Sequence, residues 1–381
     1  MTSTSKQQLR RLWFQIHKWL GLSLALLIIP ISLTGAALVW HDALDQLLNP
    51  ERQTTERAAL QPSAYAASAV SHAGPGDKLL SLQFPSAAGA VVATLFQPAI
   101  PAGGRPVRTL LHLDPVNARL LDRSASNEGL VHIMHVLHGS LMVPGAGRQI
   151  VGWIGVAMLI SSLTGLWLWW PLKGSFRRGL RWQRQPTTSA NLHHQSGFWI
   201  ALPLAVVSAT GVWISFPPLF AQLSGDPAGP SPAERARRIA AAPVGHTRLT
   251  ADEALARAAP HSTGAVTQLA WPTEGEGTWK ISFAHAGVPA EVAVSDSTGA
   301  ATPPKPPRPE TTARLMRRIH DGTGMGVVWQ VVIFIGGILP AVLAVTGILM
   351  WLNIRRRKSD MTRRRRSRAG GAELDASPVT P

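Results

Sequence analysis

The sequence contains no cysteine. That absence excludes disulfides, iron–sulfur clusters held by thiolates, covalent c-type haem attachment and cysteine-based zinc sites. It leaves the compartment open, because an extracytoplasmic domain need not carry disulfides. Charge is also scarce. Only 15% of the 381 residues are Asp, Glu, Lys or Arg, where a soluble domain carries about 25%. Tyrosine occurs once against 14 Trp, and Trp anchors at lipid interfaces. No strand–GxGxxG–helix unit is present, which removes a dinucleotide fingerprint for NAD or flavin.

Acidic residues are few, 21 against 37 Lys and Arg, giving a net charge of +16. Such an excess raises nucleic acid as a ligand. The distribution argues against it, because the positive residues cluster beside hydrophobic runs. They are Lys6, Arg10 and Arg11, then Lys173, Arg177, Arg178, Arg181 and Arg184, then Arg355 to Lys358 and Arg363 to Arg366. Charge placed there is a topology signal and attracts anionic headgroups.

What is abundant is uninterrupted hydrophobic sequence. Trp19–Trp40, Ile150–Leu172, Ser196–Phe220 and Gly326–Leu352 contain no charge, and each is long enough to cross a hydrocarbon core as a helix. Pro30, Pro203 and Pro340 fall inside three of them and are expected as kinks. The first run is too long for a cleaved signal peptide and is expected to remain as a span. The basic flanks put both chain ends and residues 173–195 in the cytoplasm. Residues 42–149 and 222–325 are then expected outside, in the periplasm of a Gram-negative host. The basic tail, 354–381, lacks periodicity and is expected to be disordered.

In the second outer segment, Leu249–Ala259 carries a capping-box spacing from Thr250 to Glu253. Val266–Trp271, Gly277–Ala284 and Pro289–Val294 alternate as strands do, with a turn at Ser295–Gly299. The first outer segment offers strands at Leu79–Phe84, Ala90–Gln97 and Thr109–Leu113 and a turn at Asp114–Asn117. Gln97–Arg105 and Ala301–Pro309 read as loops. The expected fold is an integral-membrane, all-α four-helix bundle with two small α+β lobes outside it. Its segments are 1–41, 42–149, 150–172, 173–195, 196–221, 222–325, 326–353 and 354–381.

The membrane region repeats. His17 is followed at +17 and +18 by Thr34-Gly35, and His193 at the same distances by Thr210-Gly211. His138 precedes Thr164-Gly165 by 26 and 27 residues, and His320 precedes Thr346-Gly347 by the same numbers. Trp169 and Trp351 each lie four residues beyond the Gly. Both copies run in one direction, so the bundle is expected to be two parallel helix-pair repeats about an axis along the membrane normal.

That symmetry turns scattered histidines into pairs, His17 with His193 at the inner mouth and His138 with His320 at the outer. Opposed imidazoles across a bundle suit the two axial positions of haem b, and two such sites would form an electron path across the membrane. A lone histidine at a helix end is as often a wet interfacial ring as a ligand. Four matched at equal spacing favour ligation. His194 is a reserve for the inner site and His135 for the outer one. His41, at the end of the first span, reads more readily as an interfacial residue. His132, His135 and His138, three apart, are weak evidence for a metal-ion site without carboxylates.

The segments HKWLG (His17–Gly21), LHGSL (Leu137–Leu141), LTGLWLWWP (Leu163–Pro171), HHQSG (His193–Gly197) and IHDGTGMG (Ile319–Gly326) resemble the PepSY-associated transmembrane family of iron-regulated bacterial inner-membrane proteins. LTADEALARAA leading into a hairpin looks like a PepSY module. The best understood members are similar to ferrisiderophore reductases of the ferrioxamine type. The resemblance implies two haems b between four helices, held here by His17, His193, His138 and His320, and reduction of ferric siderophore on the outer side. A quinol or flavin reductase would be the electron donor. The competing expectations are a membrane-anchored module that restrains a secreted partner, and a siderophore or metal transporter. The transporter calls for charged residues at mid-span, and the spans have none.

Overall fold

The computed structural model describes residues 3–98, 106–170, 177, 180–182, 185–226, 229–284, 290–304 and 309–375. The helices are α1 (Ser3–Leu38), α2 (His41–Leu48), α3 (Pro62–Ser71), α4 (Gly129–Ser140), α5 (Gly147–Trp169), α6 (Thr188–Ser215), α7 (Pro217–Ser224), α8 (Pro232–Ala240), α9 (Ala251–Ala258), α10 (Thr312–Asp321) and α11 (Val327–Asp375). The strands are β1 (Lys78–Gln83), β2 (Val91–Gln97), β3 (Val107–Leu113), β4 (Leu120–Ala125), β5 (Val266–Ala270), β6 (Thr278–Phe283), β7 (Ala290–Ser295) and β8 (Ala301–Thr302). The chain forms two compact units. One comprises Met1–Trp40, Met134–Asp226 and Thr311–Pro381, the other His41–Ile133 and Pro227–Glu310.

In the first unit, α1, α5, α6 and α11 are each long and apolar enough to cross a membrane. The protein is therefore a membrane protein with four apolar helices. Pro30, Pro203 and Pro340 lie within α1, α6 and α11 as expected. The helix ends differ from the expected bounds. The third span begins at Thr188, where the Thr187 side chain accepts the N–H of Ala190, and it stops at Ser215. The next residue, Phe216, precedes Pro217, and proline disfavours α conformation in the residue before it. Small residues set the helix separations. A Cβ at Gly337 of α11 would lie 2.7 Å from Cβ of Ala36 on α1, and one at Gly155 of α5 would lie 3.0 Å from Val212 on α6.

The tail corrects the sequence reading. The helix α11 continues to Asp375 without a break, where disorder was expected from 354 onward. Propagating an established helix costs far less than nucleating one, and Arg and Lys are good helix formers. The expected loop residues Lys173, Arg178 and Arg184 lie outside the described residues, as does most of Gln97–Arg105.

The second unit carries a further correction. The two expected lobes share one antiparallel sheet of eight strands, ordered β4-β3-β2-β1-β5-β6-β7-β8. The join is β1 against β5, with Ser81 opposite Ala270, Leu82 opposite Leu269 and Gln83 opposite Gln268. Backbone bonds from Phe84 to Thr267 and from Trp271 to Leu80, both 2.9 Å, continue it. Pairing these strands removes two exposed edges that would otherwise invite aggregation. Helix α3 packs Tyr65 and Ala69 onto Leu82, Leu95 and Leu111. Helix α9 packs Ala254 and Ala258 onto Trp279, Ile281 and Val292. Phe84 and Trp271 lie against both clusters. The two helices are tied where Asp252 accepts the backbone N–H and hydroxyl of Ser63.

The expected capping box is present, with Thr250 and Glu253 bonded reciprocally. Beyond it, Asp296 fixes the start of this segment by accepting the N–H of Arg248 (2.9 Å), the N–H of Leu249 (3.1 Å) and the indole N–H of Trp279 (2.9 Å). Partial burial pushes the Asp296 carboxyl up, but these donors outweigh it and hold it below the usual carboxylate range. A depressed carboxyl stabilises the fold fully above its unfolded value of about 3.9, and that contribution is lost as pH falls through the folded value. Asp296→Asn should therefore cost roughly 1–2 kcal/mol at neutral pH. Urea unfolding followed by Trp fluorescence should show the gap to the parent closing in acid. A gap unchanged at about pH 3 would contradict the assignment.

Candidate functional site

Each of the four matched histidines docks on the Thr-Gly step of the other long helix in its own helix pair. His17 of α1 reaches α5, where Nδ1 lies 3.0 Å from the Ser161 carbonyl and 3.2 Å from the Thr164 hydroxyl. His138 of α4 reaches α1, with Nδ1 2.8 Å from the Ile31 carbonyl. In the second pair, His193 of α6 bonds the Thr346 hydroxyl of α11 at 3.0 Å and has Leu343 as its backbone partner. His320 of α10 bonds the Val207 carbonyl of α6 at 3.0 Å and the Thr210 hydroxyl at 3.2 Å. In all four cases the backbone partner stands three residues before the Thr.

The glycine after each Thr makes the space for the ring. A Cβ would fall 2.6 Å from Cε1 of His138 at Gly35, 3.0 Å from that of His17 at Gly165, 3.0 Å from that of His320 at Gly211, and 3.6 Å from that of His193 at Gly347. The Thr hydroxyls also bond carbonyls of their own helices, as Thr164 does to Ile160 at 2.8 Å and Thr346 to Val342 at 2.7 Å.

This arrangement selects a tautomer. A carbonyl only accepts, so Nδ1 carries the proton and Nε2 holds the lone pair. Every hydrogen bond these four rings make among the described residues goes through Nδ1. A histidine whose Nδ1–H is fixed by a backbone carbonyl and whose Nε2 is bare is oriented for a metal.

The rings then meet in the two expected pairs. His17 and His193 have ring centres 6.3 Å apart with planes at 85°. His138 and His320 have centres 6.1 Å apart with planes at 44°. Two imidazole nitrogens, each ~2.0 Å from one metal on opposite sides, put ring centres roughly 6 Å apart. Both separations fit that requirement. Around the inner pair lies a cavity of about 250 Å³, lined chiefly by apolar side chains such as Phe14, Leu168, Phe198 and Trp351. Trp169 and Phe198 stack at its wall with centres 4.0 Å apart.

The family described as PepSY-associated TM region matches residues 14–353. The chain belongs to that family. No match to it was found among curated proteins. The part of this PepSY-associated protein that matches begins three residues before His17 and ends two beyond Trp351. It thus takes in all four docked histidines and all four Thr-Gly steps, and leaves out the basic extension of α11.

The reserve residues separate from the pairs. His194 lines the inner cavity beside His193, but His193 has the ring that faces His17. His135 is exposed on α4, one turn before His138. His41 begins α2, in the sheet-bearing unit, 3.2 Å from the Asp42 carboxylate. No group of three or more His, Asp or Glu able to hold a bare metal ion occurs among the described residues, so the spacing of His132, His135 and His138 makes no such site.

Two features were not foreseen. The Thr-Gly steps, read from the sequence as marks of the repeat, are the seats of the histidines, and their equal spacing was the signal. The second is an ion cluster in the sheet unit, where Arg52 bonds Asp122 at 2.7 Å and Asp45 at 3.2 Å. His112 stands opposite Asp122 with its Nε2 buried and without a partner. Burial first, then the Arg52 charge, pushes that imidazole below its usual value.

Proposed function

We propose that the protein is a transmembrane electron-transfer oxidoreductase that reduces ferric siderophore on the periplasmic side of the membrane so that Fe(II) is released for uptake. The observation that carries this reading is the pair of opposed histidines at each end of the helix pairs, with Nδ1 tied to backbone and Nε2 bare. His17 and His193 would hold one haem b, and His138 and His320 a second. Each haem, when bound, supplies a one-electron Fe(III)/Fe(II) couple. On this reading the chain is a duplication, and α1–α5 and α6–α11 are parallel repeats.

The chain's own part is to fix the four rings, to keep water from the inner pair with apolar walls, and to place the two pairs toward opposite faces. The basic flanks argue for cytoplasmic termini in a bacterial inner membrane. With no dinucleotide fingerprint, the protein takes electrons from a separate donor, a quinol or a flavin reductase. The net change outside is one electron added to a chelated iron(III). Hard oxygen ligands hold iron(II) less tightly, so the metal leaves without hydrolysis of the chelator.

The test uses vesicles containing the full chain, a reductant trapped inside, and ferric hydroxamate with a ferrous-specific chromophoric chelator outside. Colour should develop with the parent protein and fail with empty vesicles and with His138→Ala. Equal rates in all three would overturn the proposal.

A further inference from the structure

The outer pair sits at the ends of two short helices, α4 and α10, which align residue for residue. VHIMHVLH (Val131–His138) stands against ARLMRRIH (Ala313–His320), with Met134 matching Met316 and His138 matching His320. One turn before each histidine stands His135 on α4 and Arg317 on α10, and a further turn back on α10 is Arg314. Residues three apart share a helix face. Arg317 is within electrostatic reach of His320, and His135 of His138.

Arg314 and Arg317 are exposed, and neither guanidinium has a hydrogen bond or ion pair among the described residues. Their neighbour Arg318 is engaged, bonding the carbonyls of Thr323 and Gly324 at 3.2 Å each. The helix that carries them is held firmly. Asp226 accepts the N–H groups of Thr312 and Ala313, Thr311 caps the first turn, and Gly322 closes the last in a left-handed conformation. In the orientation proposed above, this basic turn lies outside, a few residues from a span, where positive charge is disfavoured. Topology therefore does not account for it.

We propose that Arg314 and Arg317, with His135 at the matching position of α4, form a carboxylate-binding rim beside the outer histidine pair. Guanidinium groups take carboxylates in two-pronged hydrogen bonds. The carboxylate has two possible sources, an acidic ferric chelate arriving from outside or a propionate of a haem at the pair. The proposal rests on the outer pair being the place of reduction.

The test is equilibrium binding of gallium(III) citrate and of a gallium(III) hydroxamate without carboxylates to the full chain in detergent. Gallium(III) is not reduced, so the readout is separate from electron transfer and survives a failure of the reductase reading. In Arg314→Gln/Arg317→Gln, citrate binding should weaken on the order of tenfold or more, with hydroxamate binding unchanged and Arg314→Lys/Arg317→Lys restoring part of the loss. That outcome assigns the rim to the chelate. Unchanged gallium binding with a shifted haem midpoint potential assigns it to a propionate. If neither readout moves, the arginines are solvated charges and the proposal fails. Should the double variant not fold, the parent's citrate binding must weaken with salt more than its hydroxamate binding, and salt-independent citrate binding overturns the proposal.

Discussion

His138→Ala and His320→Ala should each reduce haem from two per chain to about one, and the haem that remains should be the same in both variants. The reason is geometric. Each ring is half of a pair whose centres lie 6.1 Å apart, so removing either leaves the other without its opposite. The inner pair stands on other helices, so His17→Ala and His193→Ala should remove the complementary haem. Combining one change from each pair should give a colourless protein. Haem counts and reduced spectra of the four single variants and one cross-pair double variant decide this. Additive loss of more than one haem from a single replacement would break the pairing, unless the protein no longer folds, which its gel-filtration profile reports.

A graded series of glycine replacements should displace the rings in proportion to the room left for a methyl group. A Cβ at Gly35 would stand 2.6 Å from Cε1 and 2.9 Å from Nδ1 of His138, closer than such contacts allow. At Gly347 it would stand 3.6 Å from His193, an ordinary contact. Gly35→Ala should therefore lose the outer haem or most of it, and Gly347→Ala should keep the inner one. Gly165→Ala and Gly211→Ala, at 3.0 Å, should fall between. Overpacked interiors lose about 1–3 kcal/mol, which shifts an occupancy equilibrium by roughly fivefold to somewhat over a hundredfold. Haem retention after dialysis measures the order. Equal retention across the four, or a greater loss at Gly347, would show that the glycines serve helix packing alone.

The four spans were legible in the sequence because lipid demands long uncharged runs. The four histidines were singled out by a spacing that recurs in the two halves of the chain, and such spacing is readable where no local motif exists. What each ring bonds was not legible. His17 docks on α5 and His138 on α1, and nothing local in the chain says which helix lies beside which. The capped start of α9 was read from Thr250 and Glu253, both within one turn. Helix α3 was missed because PSAYAASAVS has little apolar periodicity. It is held by long-range contacts, such as the Tyr65 hydroxyl bonded to the Pro115 carbonyl. Strand β4, LLDRSA, is a polar edge, and its alternation is broken. The β1–β5 join pairs residues nearly two hundred positions apart, and neither strand carries a mark that tells an edge from a centre. The tail was read from its polarity and lack of periodicity, while through Asp375 its backbone follows the helix that precedes it.

The central claim is that the two histidine pairs hold two haems b. Its most direct test is a pyridine haemochrome count on the full chain purified in mild detergent from haem-replete cells, with visible spectra before and after dithionite. The account predicts two b-type haems per chain and the sharp reduced bands of six-coordinate iron. A colourless protein, correctly folded by its circular dichroism, would contradict it.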